Sequence, residues 1–379
     1  MRIAHLTDCY LPRLGGIESQ VHGLARRQRA TGHEVTVLTA TPGPRGERHG
    51  AVDDLDGVPV HRLAVRMPFR LPVNPFAPRD VRSILLSGRY DVAHVHAGVV
   101  SPFAYDAVPV VLDLGLPLVV TWHCMLGHTE RLARWWQRLR GWSDRAVAFT
   151  AVSAVAAGPV RRMLGDEADV TVLPNGVDVV AWRSSPTVDR STGEIRIVTA
   201  MRLVTRKRPV PLLHMLSRVR DRVPEDIALR LDIFGEGPAE RTMRRVIRRS
   251  RMGDWVDLPG RVTPAELRAR YGAADLYVAP ARLESFGIAA LEARAAGLPV
   301  VARSDGGVRE FVVDGVEGLL AASDEEMVEA VARVASDSTL RQRISSYSRS
   351  HPPLQDWSYV LARADEEYAR ASRLVGTAS

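Results

Sequence analysis

Strand-like and helix-like patterns alternate along this chain in two successive series, and that alternation confines it to few folds. Apolar runs of strand length fall at Ile3–Thr7, Glu34–Thr39, Val58–Leu63, Asp91–His96, Leu118–Thr121, Val147–Val152 and Val170–Leu173. Helical periodicity lies between them, notably over Gly16–Ala30, Arg79–Ser87 and Glu130–Trp142. A second series starts at Ile195–Ala200 and runs through Leu229–Phe234, Trp255–Leu258, Leu276–Ala279, Pro299–Ala302 and Gly318–Ala321. Strands alternating with helices predict parallel sheets, each strand reached by a helical crossover. At 379 residues the chain is long enough for two such cores. We therefore expect an α/β protein of two doubly wound, Rossmann-like domains. The first spans residues 1–178 and the second 194–356. The Ser-, Thr-, Asp- and Pro-rich stretch 179–193 reads as a linker, and 357–379 reads as an amphipathic C-terminal helix that returns to the first domain. The Gly/Pro/Arg/Asp-rich stretch Thr41–Asp54 reads as a mobile loop.

Composition narrows the partners. A formal charge of +7 suits anionic ligands, whether nucleotide diphosphates, lipid surfaces or nucleic acid. No helix-turn-helix, zinc-finger or aromatic RNA-binding signature is present, so nucleic acid is not expected. The two cysteines, Cys9 and Cys124, support neither a disulfide framework nor a thiolate zinc site. The first residues read as a strand rather than a signal peptide, and the longest apolar stretch, Ala107–Trp122, is too short to span a bilayer. A cytoplasmic location follows as the expectation.

Chemistry-bearing residues sit behind the strands. The loop after Leu276–Ala279 carries Glu284, and a helix is predicted from near Phe286 to a stop at Gly297, with Pro299 beyond. Its first turns aim unpaired N–H groups and the positive dipole end at that loop. N–H groups suit phosphate and a carboxylate suits hydroxyls, so the ligand fitted here carries both. Glu292, further along the helix, is placed to meet another part of one long ligand. Arg202 and Lys207 follow Ile195–Ala200, where two cations can neutralise charge growing on a leaving diphosphate. Gly15 and Gly16 open the helix after the first strand and admit close approach of an anion. Gly235-Glu236-Gly237-Pro238, Leu258-Pro259-Gly260-Arg261-Val262 and Gly306-Gly307 each follow a strand, as does His123. Asn175-Gly176-Val177-Asp178 combines a turn signal with a helix cap. His123 and Cys124 with His128 lack a usual metal-ligand pattern, and no metal is expected.

In this order, the segments resemble those of the retaining glycosyltransferases of family 4, over nearly the whole chain. Glu284 and Glu292, seven residues between them, resemble that family's Glu-x7-Glu element. The resemblance implies the GT-B fold, two Rossmann-like domains facing across a cleft. It implies that Glu284 contacts donor-sugar hydroxyls and Glu292 the nucleotide ribose, while Phe286, Gly287 and Ile288 at the helix start receive the diphosphate. It places His123 against the donor sugar, Gly15 and Gly16 near the diphosphate and acceptor, and Arg202 and Lys207 on the leaving group. Gly235 belongs to a matching Gly-x-Gly-Pro, and Arg261 to the loop whose backbone faces the base. The chain departs from the family at Met201 and Arg208, where glycines usually flank the basic pair, and at Arg309, where Pro is usual.

The expected activity is transfer of a hexose or N-acetylhexosamine from a UDP- or GDP-linked donor to an acceptor hydroxyl, with retention and without metal or cofactor. The acceptor is a sugar, a lipid or another small molecule. The alternatives are a nucleotide-sugar epimerase or a phosphorylase sharing the architecture, or a non-enzymatic basic scaffold. No lysine is marked out for the pyridoxal phosphate of a starch-type phosphorylase. The stretch Leu132–Trp142 mixes Trp and Arg at helical spacing. It reads either as packed against the first domain or as an interfacial helix on anionic lipid at the inner face of the cell membrane.

Overall fold

The computed structural model describes all residues except 14, 66–73, 75, 127–141, 143–144, 166, 184–192 and 379. The predicted helix Glu130–Trp142 and His128 thus lie outside the described residues, apart from Trp142, which is buried. The chain divides into two units, Met1–Gly176 with Trp357–Ser379, and Val177–Asp356.

The first unit is built on an eight-stranded sheet in the order β3-β4-β2-β1-β5-β6-β7-β8. The strands are β1 (Arg2–Thr7), β2 (Glu34–Thr39), β3 (Ala51–Leu55), β4 (Val58–Arg62), β5 (Val92–Ala97), β6 (Leu118–Trp122), β7 (Val147–Ala151) and β8 (Val170–Val172). All neighbours run parallel except β3 and β4. The hairpin turns through Asp56 and Gly57, both at positive φ. Residues 51–54, read as loop, are therefore strand. The reason is that β3 is an edge strand with no buried residue, so its sequence carries no apolar alternation. The Asp-x-Asp triplet here, Asp54-Leu55-Asp56, serves the turn: Asp54 accepts the Gly57 N–H at 2.9 Å, and Asp56 meets His22 at 2.9 Å.

The C-terminal helix (Trp357–Ala378) completes this unit. Trp357, Val360, Ala364, Tyr368 and Ala371 form one helical stripe, buried in a cluster with Ile3, Tyr10, Val21, Leu24 and Val119. The Trp357 ring fits only because its neighbours lack side chains. A Cβ on Gly23 or on Gly176 would lie 2.6 Å from it. The Arg27 guanidinium covers the ring at 4.5 Å.

The second unit holds a six-stranded, all-parallel sheet in the order β11-β10-β9-β12-β13-β14. Its strands are β9 (Glu194–Ala200), β10 (Ala228–Phe234), β11 (Val256–Gly260), β12 (Leu276–Ala279), β13 (Val300–Arg303) and β14 (Gly318–Ala321). The boundary falls at Gly176, ahead of the expected linker. Residues Val179–Trp182 are a short helix, capped by the Asp178 carboxylate on the Ala181 N–H at 2.9 Å. Trp182 buries its ring against Tyr271, and this packing assigns the segment to the second unit. A stretch read as polar linker thus starts with a buried aromatic anchor. Among the described residues, no helix is long and apolar enough to cross a membrane.

Candidate active site

In an open α/β sheet the crevice for ligands opens where the strand order reverses, beyond the carboxyl ends. In the second unit the chain proceeds from β9 through β10 to β11, then jumps back to place β12 beside β9. The loops after β9 and β12 therefore border the switch point. Arg202 and Lys207 lie in the first of these loops and Glu284 in the second. Lys207 Nζ and the Glu284 carboxylate form a direct, partly buried ion pair. The sequence separates them by 77 positions, and the topology joins them. Arg202 is exposed and makes no ion pair with a described residue.

Backbone hydrogen bonds brace the β9 loop. Met201 N–H donates to Phe234 O at 3.0 Å, Leu203 N–H to Glu236 O at 2.9 Å, and Ala239 N–H to Leu203 O at 2.9 Å. The contact is close enough to demand glycine. A Cβ on Gly235 (φ 119°) would come within 2.0 Å of Met201 O, and one on Gly237 within 2.5 Å of Leu203 O. Gly235 N–H in turn donates to Gly260 O at 2.8 Å, so the three loops after β9, β10 and β11 are stitched together. Arg261 follows and is exposed.

Arg208, standing where glycine is usual, adopts φ 60° and ψ 42°, the left-handed conformation glycine takes readily. A side chain there costs about 1 kcal/mol or more. The cost is offset by a two-pronged ion pair to Asp324, at 2.8 and 2.5 Å, plus a 3.3 Å bond to Pro280 O. Arg208 holds Asp324 down to about 2, with Arg282 adding to the effect. The departure at this position thus ties the β9 loop to the β12 loop and to the helix Asp324–Ser336. Sequence reading met Arg208 only as a departure from the family and missed Asp324, and no local signal links two positions so far apart. It also missed Tyr277, whose buried hydroxyl donates to Ala200 O at 3.3 Å behind the loop.

The helix after Glu284 starts at Ile288 rather than Phe286, because Gly287 at φ 97° forms its N-cap. A Cβ there would meet Val308 at 2.8 Å. Phe286 is buried against Phe311, ring centroids 5.3 Å apart, and acts as an anchor for the loop. Gly306 and Gly307 run close beneath. Gly307 N–H donates to Glu284 O at 2.8 Å, and a Cβ on Gly307 would lie 2.3 Å from Ser285 O. Glu292 lies in the second helical turn and is half-buried. Burial pushes its carboxyl up to about 8, against the opposing pull of Arg268.

In the first unit the order reverses between β1 and β5. Asp8, just past β1, accepts the Phe103 and Ala104 N–H groups at 3.0 Å each, capping the helix Pro102–Asp113. Burial nevertheless raises it to about 6. Gly15 and Gly16 open the helix Gly16–Ala30, as expected from the sequence. The Glu18 carboxylate is buried beside that N-terminus and pairs with Arg13 at 3.3 Å, so a carboxylate already stands where an anion was expected. His123, past β6, is partly buried. Its Nε2 lies 3.0 Å from His96 Nδ1, and Asn175 is its other side-chain partner. Desolvation lowers it to about 4, so the ring is neutral near pH 7. A small cavity is lined by His94, His96, Thr121, His123, Asn175 and Trp357, among others.

Comparison with known proteins covers nearly the whole chain. The family described as Glycosyltransferase Family 4 matches residues 14–181, and that described as Glycosyl transferases group 1 matches 182–351. A phosphatidyl-myo-inositol mannosyltransferase of Mycolicibacterium smegmatis is 30% identical over 98% of this chain and 94% of its own length. A GDP-mannose:cellobiosyl-diphosphopolyprenol alpha-mannosyltransferase of Xanthomonas oryzae is 29% identical over 97% of this chain and 96% of its own. Among solved structures, Anabaena HepE in complex with UDP and glucose superposes with a TM-score of 0.76 at 18% identity, covering 97% of this chain and 99% of that one.

Proposed function

The chain belongs to glycosyltransferase family 4, with the GT-B fold class and nucleotide-sugar-dependent glycosyl transfer as its activity, and on that footing we propose that it moves mannose from GDP-mannose to a lipid-linked acceptor with retention. The observation that carries the reading is the Lys207–Glu284 ion pair at the switch point of the second sheet. Without ligand, each charge holds the other in place. With donor bound, Lys207 and Arg202 turn to the leaving diphosphate and Glu284 to the sugar hydroxyls. Glu292 accepts from the ribose, and His123 faces the sugar. The C1–phosphate bond breaks, the acceptor oxygen bonds to C1 on the same face, and the acceptor's proton passes to the departing phosphate oxygen. The protein contributes orientation and charge stabilisation, and neither metal nor cofactor enters the scheme. The named acceptors of both mannosyltransferase relatives, a phosphatidylinositol and a diphosphopolyprenol, support the choice of acceptor class.

A panel of UDP- and GDP-linked sugars with phosphatidylinositol and polyprenyl-diphosphate glycans tests this directly. Turnover of GDP-mannose to an α-linked product, unaffected by chelators, is the expected result. A β-linked product, or turnover of UDP-sugars alone, would overturn the proposal.

A further inference from the structure

Four histidines of the first unit form a connected array that the proposed reaction uses only at one end. His5 on β1, His94 and His96 on β5 are buried, and His123 follows β6. Strand register brings them together: His5 is paired with His94, and His96 with Thr121. Alternation along β5 turns both of its histidines to one face. Their nitrogens lie close enough to bind a metal, yet all six ring nitrogens of His5, His94 and His96 are engaged in hydrogen bonds. The His94 and His96 rings also stack, with centroids 4.1 Å apart. The arrangement is that of a relay of neutral rings.

Each neutral imidazole has one N–H and one lone pair, so fixing one member fixes the next. The chain ends on a backbone carbonyl, which can only accept. Thr150 Oγ1 donates to Val120 O at 3.3 Å, and Thr121 Oγ1 donates to Thr150 Oγ1 at 2.6 Å. His94 Nε2–H then donates to Thr121 at 2.7 Å, leaving His94 Nδ1 to accept from the Tyr368 hydroxyl at 3.0 Å. Tyr368 accepts from the Gln28 amide NH2 at 2.8 Å, which turns Gln28 Oε1 toward His5 Nε2–H at 2.7 Å. His5 Nδ1 accepts from His96 Nε2–H at 2.9 Å, and His96 Nδ1 accepts from His123 Nε2–H at 3.0 Å. Every link has one donor and one acceptor, all pointing the same way. Burial keeps the rings uncharged: His5 is lowered to about 4, and His94 and His96 lie well below their usual range.

We propose that this one-directional hydrogen-bond chain, running from His123 through His96, His5, Gln28 and Tyr368 to His94, holds His123 in the Nε2–H tautomer. Tyr368, Gln28 and His5 are then positioning residues for the ring at the end of β6. His123 Nδ1 then carries the lone pair, so any group that meets it there, the Asn175 amide or a sugar hydroxyl, must donate to it. The C-terminal helix, through Tyr368, sets the protonation pattern of a residue 245 positions earlier in the chain. This inference rests on the reading of His123 as a donor-sugar contact.

Long-range 1H–15N correlation on the full chain with 15N-labelled histidine, at pH 7.5, reads each tautomer directly. The expected spectrum has His5, His94, His96 and His123 all protonated at Nε2, and an Nδ1–H form of His123 overturns the proposal. Tyr368→Phe removes one hydroxyl and frees the Gln28 amide to flip. His123 then becomes a mixture of tautomers, and kcat falls about fivefold, the rate equivalent of one net hydrogen bond, while binding of GDP is unchanged. A His123 signal identical to wild type in Tyr368→Phe overturns the coupling, and a mixed tautomer with unaltered kcat overturns the positioning role. His123→Ala tests the underlying reading separately, because full activity there removes the donor-sugar contact and leaves the wild-type tautomers as measured.

Discussion

In the first unit, ionisable side chains from strands face one another inside the fold, whereas the second unit carries its charges in loops beyond β9 and β12. The first set is uncharged and committed to neighbours: His5, His94 and His96 are buried with every ring nitrogen bonded. The second is charged and available: Arg202 is exposed, and among the described residues Lys207 and Glu284 form an ion pair with each other. A buried neutral network gives shape and protonation pattern, and its cost of disruption is structural. A loop-borne ion pair at a switch point can exchange partners when a ligand arrives. On the proposed function, the first sheet's interior serves as scaffold and the second sheet's rim supplies charge stabilisation.

The largest expected effect lies at that rim. Lys207→Ala or Arg202→Ala lowers transfer on the order of 100-fold, as loss of one preorganised charge-stabilising donor commonly does, with the melting temperature little changed. Near-normal rates in both variants, measured with a verified donor, would place the catalytic charge elsewhere. The complementary change is Trp357→Ala in the first unit. It empties a site walled by Gly23 and Gly176 and costs about 3 kcal/mol of stability, while GDP affinity, which the proposed function assigns to the second unit, stays as it was. Equal loss of GDP binding would blur the division.

Opposite responses to pH sharpen the comparison further. Burial lowers His5 and His123 from 6.5 to about 4, so between those values the unfolded chain binds protons that the folded one refuses. Their contribution to stability is present above pH 6.5 and is lost as pH falls. Glu292 is raised from 4.5 to about 8, so its contribution is present below pH 4.5 and is lost as pH rises through 8. Glu292→Gln should therefore gain in melting temperature relative to wild type as pH rises from 5 to 9. A difference independent of pH would show that Glu292 titrates normally.

The same division explains what the sequence made legible. The residues of the second unit's rim are local features: Glu284 to Glu292, Arg202 to Lys207 and the glycines behind strands are readable within a dozen positions. Folding adds the Arg208–Asp324 tie across 116 positions, for which no short motif exists. The parallel strands and the C-terminal helix followed from apolar periodicity, whereas β3 did not, because an edge strand buries nothing. The Val179–Trp182 helix escaped because a polar run surrounds its one buried aromatic. In the first unit, His94 and His96 alternate along one strand, and that spacing was the one available hint of a shared face. The further members of the hydrogen-bond chain, Gln28, Tyr368 and Thr150, come from three other elements, and only tertiary packing brings them to these histidines.

Calorimetric titration of GDP and GDP-mannose into wild type, Glu284→Ala and Glu292→Ala tests most directly whether the second unit's rim binds the donor as assigned. Glu292→Ala is expected to weaken both ligands alike, through the ribose. Glu284→Ala is expected to leave GDP close to wild type and to remove the extra affinity that mannose confers. Equal losses for the two variants with both ligands, or no loss with either, would contradict the assignment.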